Sequence, residues 1–370
     1  MSQPPRRLIE NSLTPLKPAH KIAIAKAHIS LTLESETNTI SKAGAKLKVW
    51  VLTDGKAGDE QTCLGVAEAL GYQIEIKHVA PRAPWSWAMP RGPIDPRDTP
   101  GKAASPISPP YPDCLIASGR RAVPYLRTIL RASGGKTLTV FLKDPRTGAG
   151  TADIIWVPEH DGLRGENVIV TITPPHRLSP SRLAAARAMP DQRLSAPGPH
   201  IAVLVGGNSR HHHFTPQDIS RFAVHLEKLA KDGAHLMITT SRRTPGELVD
   251  VLRSLAKEYP LTFLWDGSGD NPYTAMLAIA DFIVVTADSY NMIGEATATG
   301  APILLFEPSG GHRKLTAFVG ALTRYGAVHP LTGHLEGTPY KPLDATQIVV
   351  SRIEREMTRR NLGHSTADPT

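Results

Sequence analysis

Short apolar runs recur along the chain, each closed by a polar, often glycine-bearing turn and most followed by a stretch with helical spacing. The first, Lys48-Val49-Trp50-Val51-Leu52, ends in Thr53-Asp54-Gly55, and a helix is predicted from Gln61 to Leu70, stopped by Gly71. Ile74 to Val79 reads as the next strand, and others follow at Cys114–Ala117, Leu138–Leu142, Ile154–Val157 and Val168–Thr171, with a helix at Ala122–Leu130. The runs are continuous rather than alternating, which predicts a parallel sheet covered on both faces. Pro81 to Pro112 interrupts the pattern as a proline-dense excursion holding Trp85 and Trp87, expected to fold over a site.

After a helical stretch at Ser181–Met189 and a proline-bounded connection, the pattern restarts. Ile201-Ala202-Val203-Leu204-Val205 runs into Gly206-Gly207-Asn208-Ser209, and strands at His235–Thr240, Thr262–Trp265, Asp281–Thr286 and Ile303–Phe306 alternate with helices at Phe222–Lys231 and Pro245–Tyr259. The fold class is α/β, with two Rossmann-like domains facing a cleft. The predicted divisions are a basic disordered tail at 1–46, a first domain at 47–189, a linker at 190–199, a second domain at 200–344, and a final amphipathic helix and tail at 345–370.

Open α/β sheets bind ligands beyond the carboxyl ends of their strands, so the chemistry is sought in those turns. After the Asp281 strand comes Thr286-Ala287-Asp288-Ser289-Tyr290-Asn291-Met292-Ile293-Gly294-Glu295. Asp288 or Ser289 can cap the helix that starts there, and free N–H groups at Asn291 and Met292 suit an anion. Glu295, two helical turns beyond Asp288, suits the paired hydroxyls of a ribose; the plainer alternative is a cap and a solvated glutamate. Gly206-Gly207 lets backbone amides approach a phosphate, with Asn208 and Ser209 as added donors, although glycine pairs also serve plain turns.

The turn Asp54-Gly55-Lys56-Ala57-Gly58-Asp59-Glu60-Gln61 lacks the spacing of a phosphate loop. Asp54 and Asp59 are candidates for a general base, with Lys56 and Gln61 on the acceptor side; Asp59 can instead cap a helix. Arg120, Lys143 and Arg313 follow other strands and are expected to neutralise a leaving diphosphate. His211-His212-His213 reads as loop histidines, because three consecutive residues do not share a face.

Composition narrows this picture. The net charge of +8 is concentrated at the N-terminus: residues 1–48 carry eight Lys or Arg against three Glu, which leaves only +3 elsewhere and argues against nucleic acid as a partner. Peripheral contact between that basic segment and an anionic membrane stays open beside a solvated tail. Cys63 and Cys114 have neither metal nor redox spacing. With no signal peptide or membrane-length apolar run, the expected location is the cytoplasm, including the inner face of a membrane. No Asp-x-Asp motif occurs at these turns, so metal independence is expected, as is the absence of a resident cofactor.

Together, Trp50 through Gln61, Gly206-Gly207-Asn208-Ser209 and Asp288 through Ala296 resemble the Elm family of mitochondrial fission proteins and its bacterial homologues, over about 48 to 357. The second half is also similar to the donor half of the peptidoglycan N-acetylglucosaminyltransferase, where a glutamate on the helix binds the donor ribose; Glu295, Gly300 and Pro302 fall in the matching places, but no glutamine pair follows Pro308. The resemblance implies the GT-B architecture and a nucleotide-sugar ligand that is substrate rather than cofactor. It implies a glycosyltransferase, with a nucleotide-sugar epimerase or a non-catalytic adaptor as alternatives. Plant members of the family are implicated in organelle division.

Overall fold

The computed structural model describes residues 47–362; the predicted tail at 1–46 lies outside them. The first half comprises β1 (Lys48–Thr53), α1 (Ala57–Leu70), β2 (Gln73–His78), β3 (Cys114–Ala117), α2 (Ala122–Ala132), β4 (Leu138–Leu142), β5 (Ile154–Pro158) and β6 (Val168–Thr171). Its strands form one parallel sheet in the order β2-β1-β3-β4-β5-β6. Trp50, Leu52, Leu115, Phe141 and Ile155 project to the face covered by Val123, Tyr125, Leu126 and Ile129 of α2.

The second half runs α3 (Pro180–Ala188), β7 (His200–Val205), β8 (His212–His213), α4 (Pro216–Lys231), β9 (His235–Thr240), α5 (Gly246–Glu258), β10 (Thr262–Leu264) and α6 (Tyr273–Ile279). It continues through β11 (Phe282–Thr286), α7 (Tyr290–Ala296), β12 (Ile303–Phe306), β13 (Ser309–Gly310), α8 (Arg313–Tyr325), β14 (Val328–Pro330) and α9 (Ala345–Arg359). The order β10-β9-β7-β11-β12-β14 is the dinucleotide-fold order 3-2-1-4-5-6, again all parallel. Alternate residues of β7 divide between two cores: Ala202 and Leu204 face α6 and α8, while Ile201, Val203 and Val205 face α4 and α5. These are the two Rossmann-type sheets of the GT-B outline expected from the sequence. Among the described residues no helix is long and apolar enough to cross a membrane.

Two expectations are corrected. Leu178, Leu183 of α3 and Leu194 belong to the core of the second sheet, so the chain leaves the first half near 172–177 rather than at 190–199. The final helix then returns and packs on α1, β4 and β5. The outward and return passages are tied together: Thr346 Oγ1 accepts from the His176 N–H at 2.9 Å and donates to the His176 carbonyl at 2.8 Å. Gly65 of α1 lies so close that a Cβ there would sit 2.6 Å from that carbonyl. Finally, no residue of the 81–112 excursion lines the cavity described below. Buried Asp95 fastens the excursion by accepting from Arg82 and Arg97, and Ile107 plugs it into the first core.

Candidate functional site

In both sheets the strand order reverses between the first strand and the one that follows on its other side, at β1/β3 and at β7/β11. The turns beyond β1, β4 and β5 of the first sheet and beyond β7 and β11 of the second border one cavity of about 620 Å³. The first half contributes Lys56, Asp59, Lys143, Trp156, His160 and Asp161 to its wall, and the second Ser209, Arg210, His212, Tyr290, Asn291 and Lys314.

The β1 turn bends at Gly55, whose φ of +77° favours glycine. α1 therefore begins at Ala57, a full turn earlier than the sequence pattern suggests, and Asp59 lies in its first turn rather than at its cap. Lys143 donates to Asp59 Oδ1 at 3.0 Å, and Lys56 to Asp54 Oδ2 at 2.8 Å. The Asp54 side chain is 1% exposed and its Oδ1 has no partner among the described residues. A Cβ at Gly119 would lie 3.3 Å from Asp59 Oδ2 and 3.4 Å from Asp54 Oδ1, so both carboxylates border the same spot beyond β3.

On the other wall, the Asp288 side chain is fully buried. Its carboxylate accepts from the Gly207 N–H at 2.9 Å, the Thr286 hydroxyl at 2.7 Å and Arg243 Nη2 at 3.1 Å. The glycine pair is explained by this packing: a Cβ at Gly206 would meet Asp288 Oδ1 at 2.2 Å, and one at Gly207 the Arg243 carbonyl at 2.0 Å. The amides of Gly206, Gly207, Asn208 and Ser209 donate to Thr286, Asp288, Arg243 and His212 respectively. Asn208 Oδ1 accepts from the Phe214 N–H, and Ser209 Oγ from His211 and His212. This turn spends its donors on its own architecture, and Arg210 at its tip has no ion-pair partner among the described residues. Ser289 occupies the cap position of α7 without a side-chain bond, and Met292 packs against the core.

Of the sequence-predicted residues, the cavity wall gathers Lys56, Asp59, Lys143, Ser209, Asp288 and Asn291. Asp54, Gly206, Gly207, Asn208, Ser289, Met292 and Glu295 stand outside it. So do Gln61, which accepts from Arg177, and Arg120, whose guanidinium holds the carbonyls of Ser86 and Met89. Arg313 opens α8 outside the wall; Lys314, one residue on, lines it and meets Asp161 at 2.5 Å. His160 was not anticipated. It lies edge-on to Tyr290 and Phe318, with ring centroids 5.9 and 6.4 Å away, and burial lowers its pKa, which favours the neutral ring. The Tyr290 hydroxyl is buried in the wall with no partner among the described residues.

Glu295 accepts from the Tyr273 hydroxyl at 2.5 Å, and burial raises its pKa above the ordinary 4.5. A carboxyl raised in the folded state gives its full stability below its unfolded pKa and loses it as pH rises toward the folded value. Stability is therefore expected to decline as pH rises above about 4.5, with Glu295→Gln flattening the decline; urea midpoints across that range test this, and equal slopes would refute it.

The fold and cavity define a protein of two Rossmann-type halves that line one cavity. The chain belongs to the mitochondrial fission ELM1 family, whose model matches residues 57–357. It is 27% identical over 284 residues to the mitochondrial fission protein ELM1 of Arabidopsis thaliana, across 67% of this chain and 65% of that one. Over 169 residues it is 32% identical to an uncharacterized protein of Rickettsia prowazekii (strain Madrid E), across 42% of this chain and 47% of that one. The chain thus spans less than two thirds of the length of either relative. Among solved structures it is similar to MurG of Acinetobacter baumannii, with 14% identity, a TM-score of 0.42 and coverage of 86% and 92%. It is also similar to the UDP-GlcNAc 2-epimerase of Methanocaldococcus jannaschii, with 11% identity, a TM-score of 0.46 and coverage of 85% and 100%.

Proposed function

We propose that the cavity binds a nucleoside-diphosphate sugar and that the chain is a glycosyltransferase acting without a metal ion. One observation carries this reading: the turn after β1 and the two turns of the β7/β11 switch point open on a single cavity of about 620 Å³ to which each half supplies cations, Lys56 and Lys143 from one side and Arg210 and Lys314 from the other. A diphosphate held there would meet Lys143 and Arg210, which take up the negative charge that grows on a leaving phosphate. Its arrival draws Lys143 from Asp59 and frees that carboxylate to accept a proton from an acceptor hydroxyl. Trp156, Pro158, Tyr290 and Leu315 give the apolar surface for a base or sugar face. The buried Tyr290 hydroxyl, without a partner among the described residues, would become a donor to the ligand if the wall opens around it.

The test is a melting screen against uridine, guanosine, adenosine and thymidine diphosphates and their sugars. A ligand at a hundredfold excess over Kd adds about 2.7 kcal/mol, expected to appear as a rise of roughly 3–6 °C for one of them. No rise with any would sink the reading and favour the adaptor. Binding followed by release of an isomerised sugar without an acceptor would favour the epimerase.

A further inference from the structure

Between Arg82 and Arg91 runs Ala83-Pro84-Trp85-Ser86-Trp87-Ala88-Met89-Pro90, an uncharged segment bracketed by arginines. A single helical turn at Trp85–Ala88 folds it into a knuckle. Ala83, Pro84 and Ala88 are exposed, Trp85 is half-buried, and Trp87 stands 75% exposed, while Ser86, Met89 and Pro90 face inward. The knuckle is held from beneath. Arg120 donates to the carbonyls of Met89 at 3.0 Å and Ser86 at 3.1 Å, and Arg127 to that of Pro90 at 2.6 Å. Arg91 reaches the Arg146 carbonyl at 3.3 Å, bringing a further cation to its rim. The nearest carboxylates in sequence are already committed: Asp95 is fully buried between Arg82 and Arg97, and Asp98 accepts from the Tyr125 hydroxyl.

A rigid turn that lifts an indole into water amid arginines gains nothing for the fold from that exposure. It has the chemistry of a bilayer interface, where indole rings settle at headgroup depth and each nearby Lys or Arg adds attraction to anionic lipid. We propose that this knuckle docks on an anionic membrane surface, with Trp87 inserted among the headgroups and Arg91 and Arg146 on the phosphates. A nucleic-acid strand would call for a groove with successive stacking rings; here one indole tops a convex turn. No residue of 81–112 lines the cavity, so docking leaves the ligand site free.

The test uses the full chain in co-sedimentation with vesicles of phosphatidylcholine, alone or mixed with phosphatidylglycerol. The wild type is expected to bind only the mixed vesicles, and less as salt rises. Trp87→Ser should weaken that binding about tenfold, and Arg91→Gln/Arg146→Gln by about tenfold or more. Met189→Ser, at a residue 82% exposed elsewhere, should leave it unchanged. The basic N-terminal segment is present in every variant and cancels from the comparison. Circular dichroism confirms that each variant is folded, and unchanged nucleotide-induced melting shifts separate docking from the cavity. The proposal is overturned if the wild type binds neither vesicle, if Trp87→Ser binds like the wild type, or if a DNA duplex is bound through the arginines with no contribution from Trp87.

Discussion

Asp288→Ala is expected to lower the unfolding free energy by about 2–5 kcal/mol, because two buried donors lose their acceptor at roughly 1–3 kcal/mol each. Its carboxylate satisfies the Gly207 amide, the Thr286 hydroxyl and Arg243 at once, with no exposure of its own. Alanine strands the Gly207 amide and the Thr286 hydroxyl, leaves the half-exposed Arg243 to solvent, and opens a hole beside Gly206. Asp288→Asn keeps the volume but exchanges the charge for a neutral amide, and should fall between alanine and wild type. Urea unfolding of the three proteins checks this. If Asp288 were a solvated ligand contact instead, stability would hold and only nucleotide affinity would fall.

The opposite signature is expected from Lys143→Ala combined with Arg210→Ala. Arg210 is unpaired among the described residues, and Lys143 contacts only the partly exposed Asp59, so intrinsic stability should move little, by about 1 kcal/mol or less. A charge-assisted hydrogen bond to phosphate is worth roughly 1.5–3 kcal/mol, so losing two should weaken diphosphate binding by at least about a hundredfold. Isothermal titration with whichever nucleotide raises the melting temperature measures it. Wild-type affinity in the double variant would remove both cations from the site.

The contrast between these variants marks what the sequence made legible. The strands were readable because a fully buried parallel strand is an unbroken apolar run, and their turns because glycine and aspartate punctuate them. The pattern therefore located the turns bearing Asp59, Lys143 and Asp288. It did not reveal how each side chain would be spent. Arg120 and Lys143 follow equivalent strands, yet one grips the carbonyls of the 81–112 excursion and the other faces the cavity, a choice made by an insertion with no periodic signal. Lys314 rather than Arg313 reaches the cavity wall, a matter of the rotation of α8 that a one-residue step in sequence does not reveal. His160 and Asp161 follow a strand recognised as such, but nothing in their immediate sequence marks them; they matter through Tyr290, Phe318 and Lys314, all more than a hundred residues away.

The return of α9 to the first sheet also bears on how the protein is made. On a ribosome the first half emerges long before the second, and domains generally fold as units in that order. Here Val349, Val350, Ile353 and Met357, buried where α9 meets α1, β4 and β5, are among the last described residues to leave the exit tunnel. Until they arrive, one apolar flank of the first sheet is open to water. The nascent first half must wait, incompletely covered, through synthesis of the whole second half, and during that interval it is a natural client for a chaperone that shields exposed apolar surface.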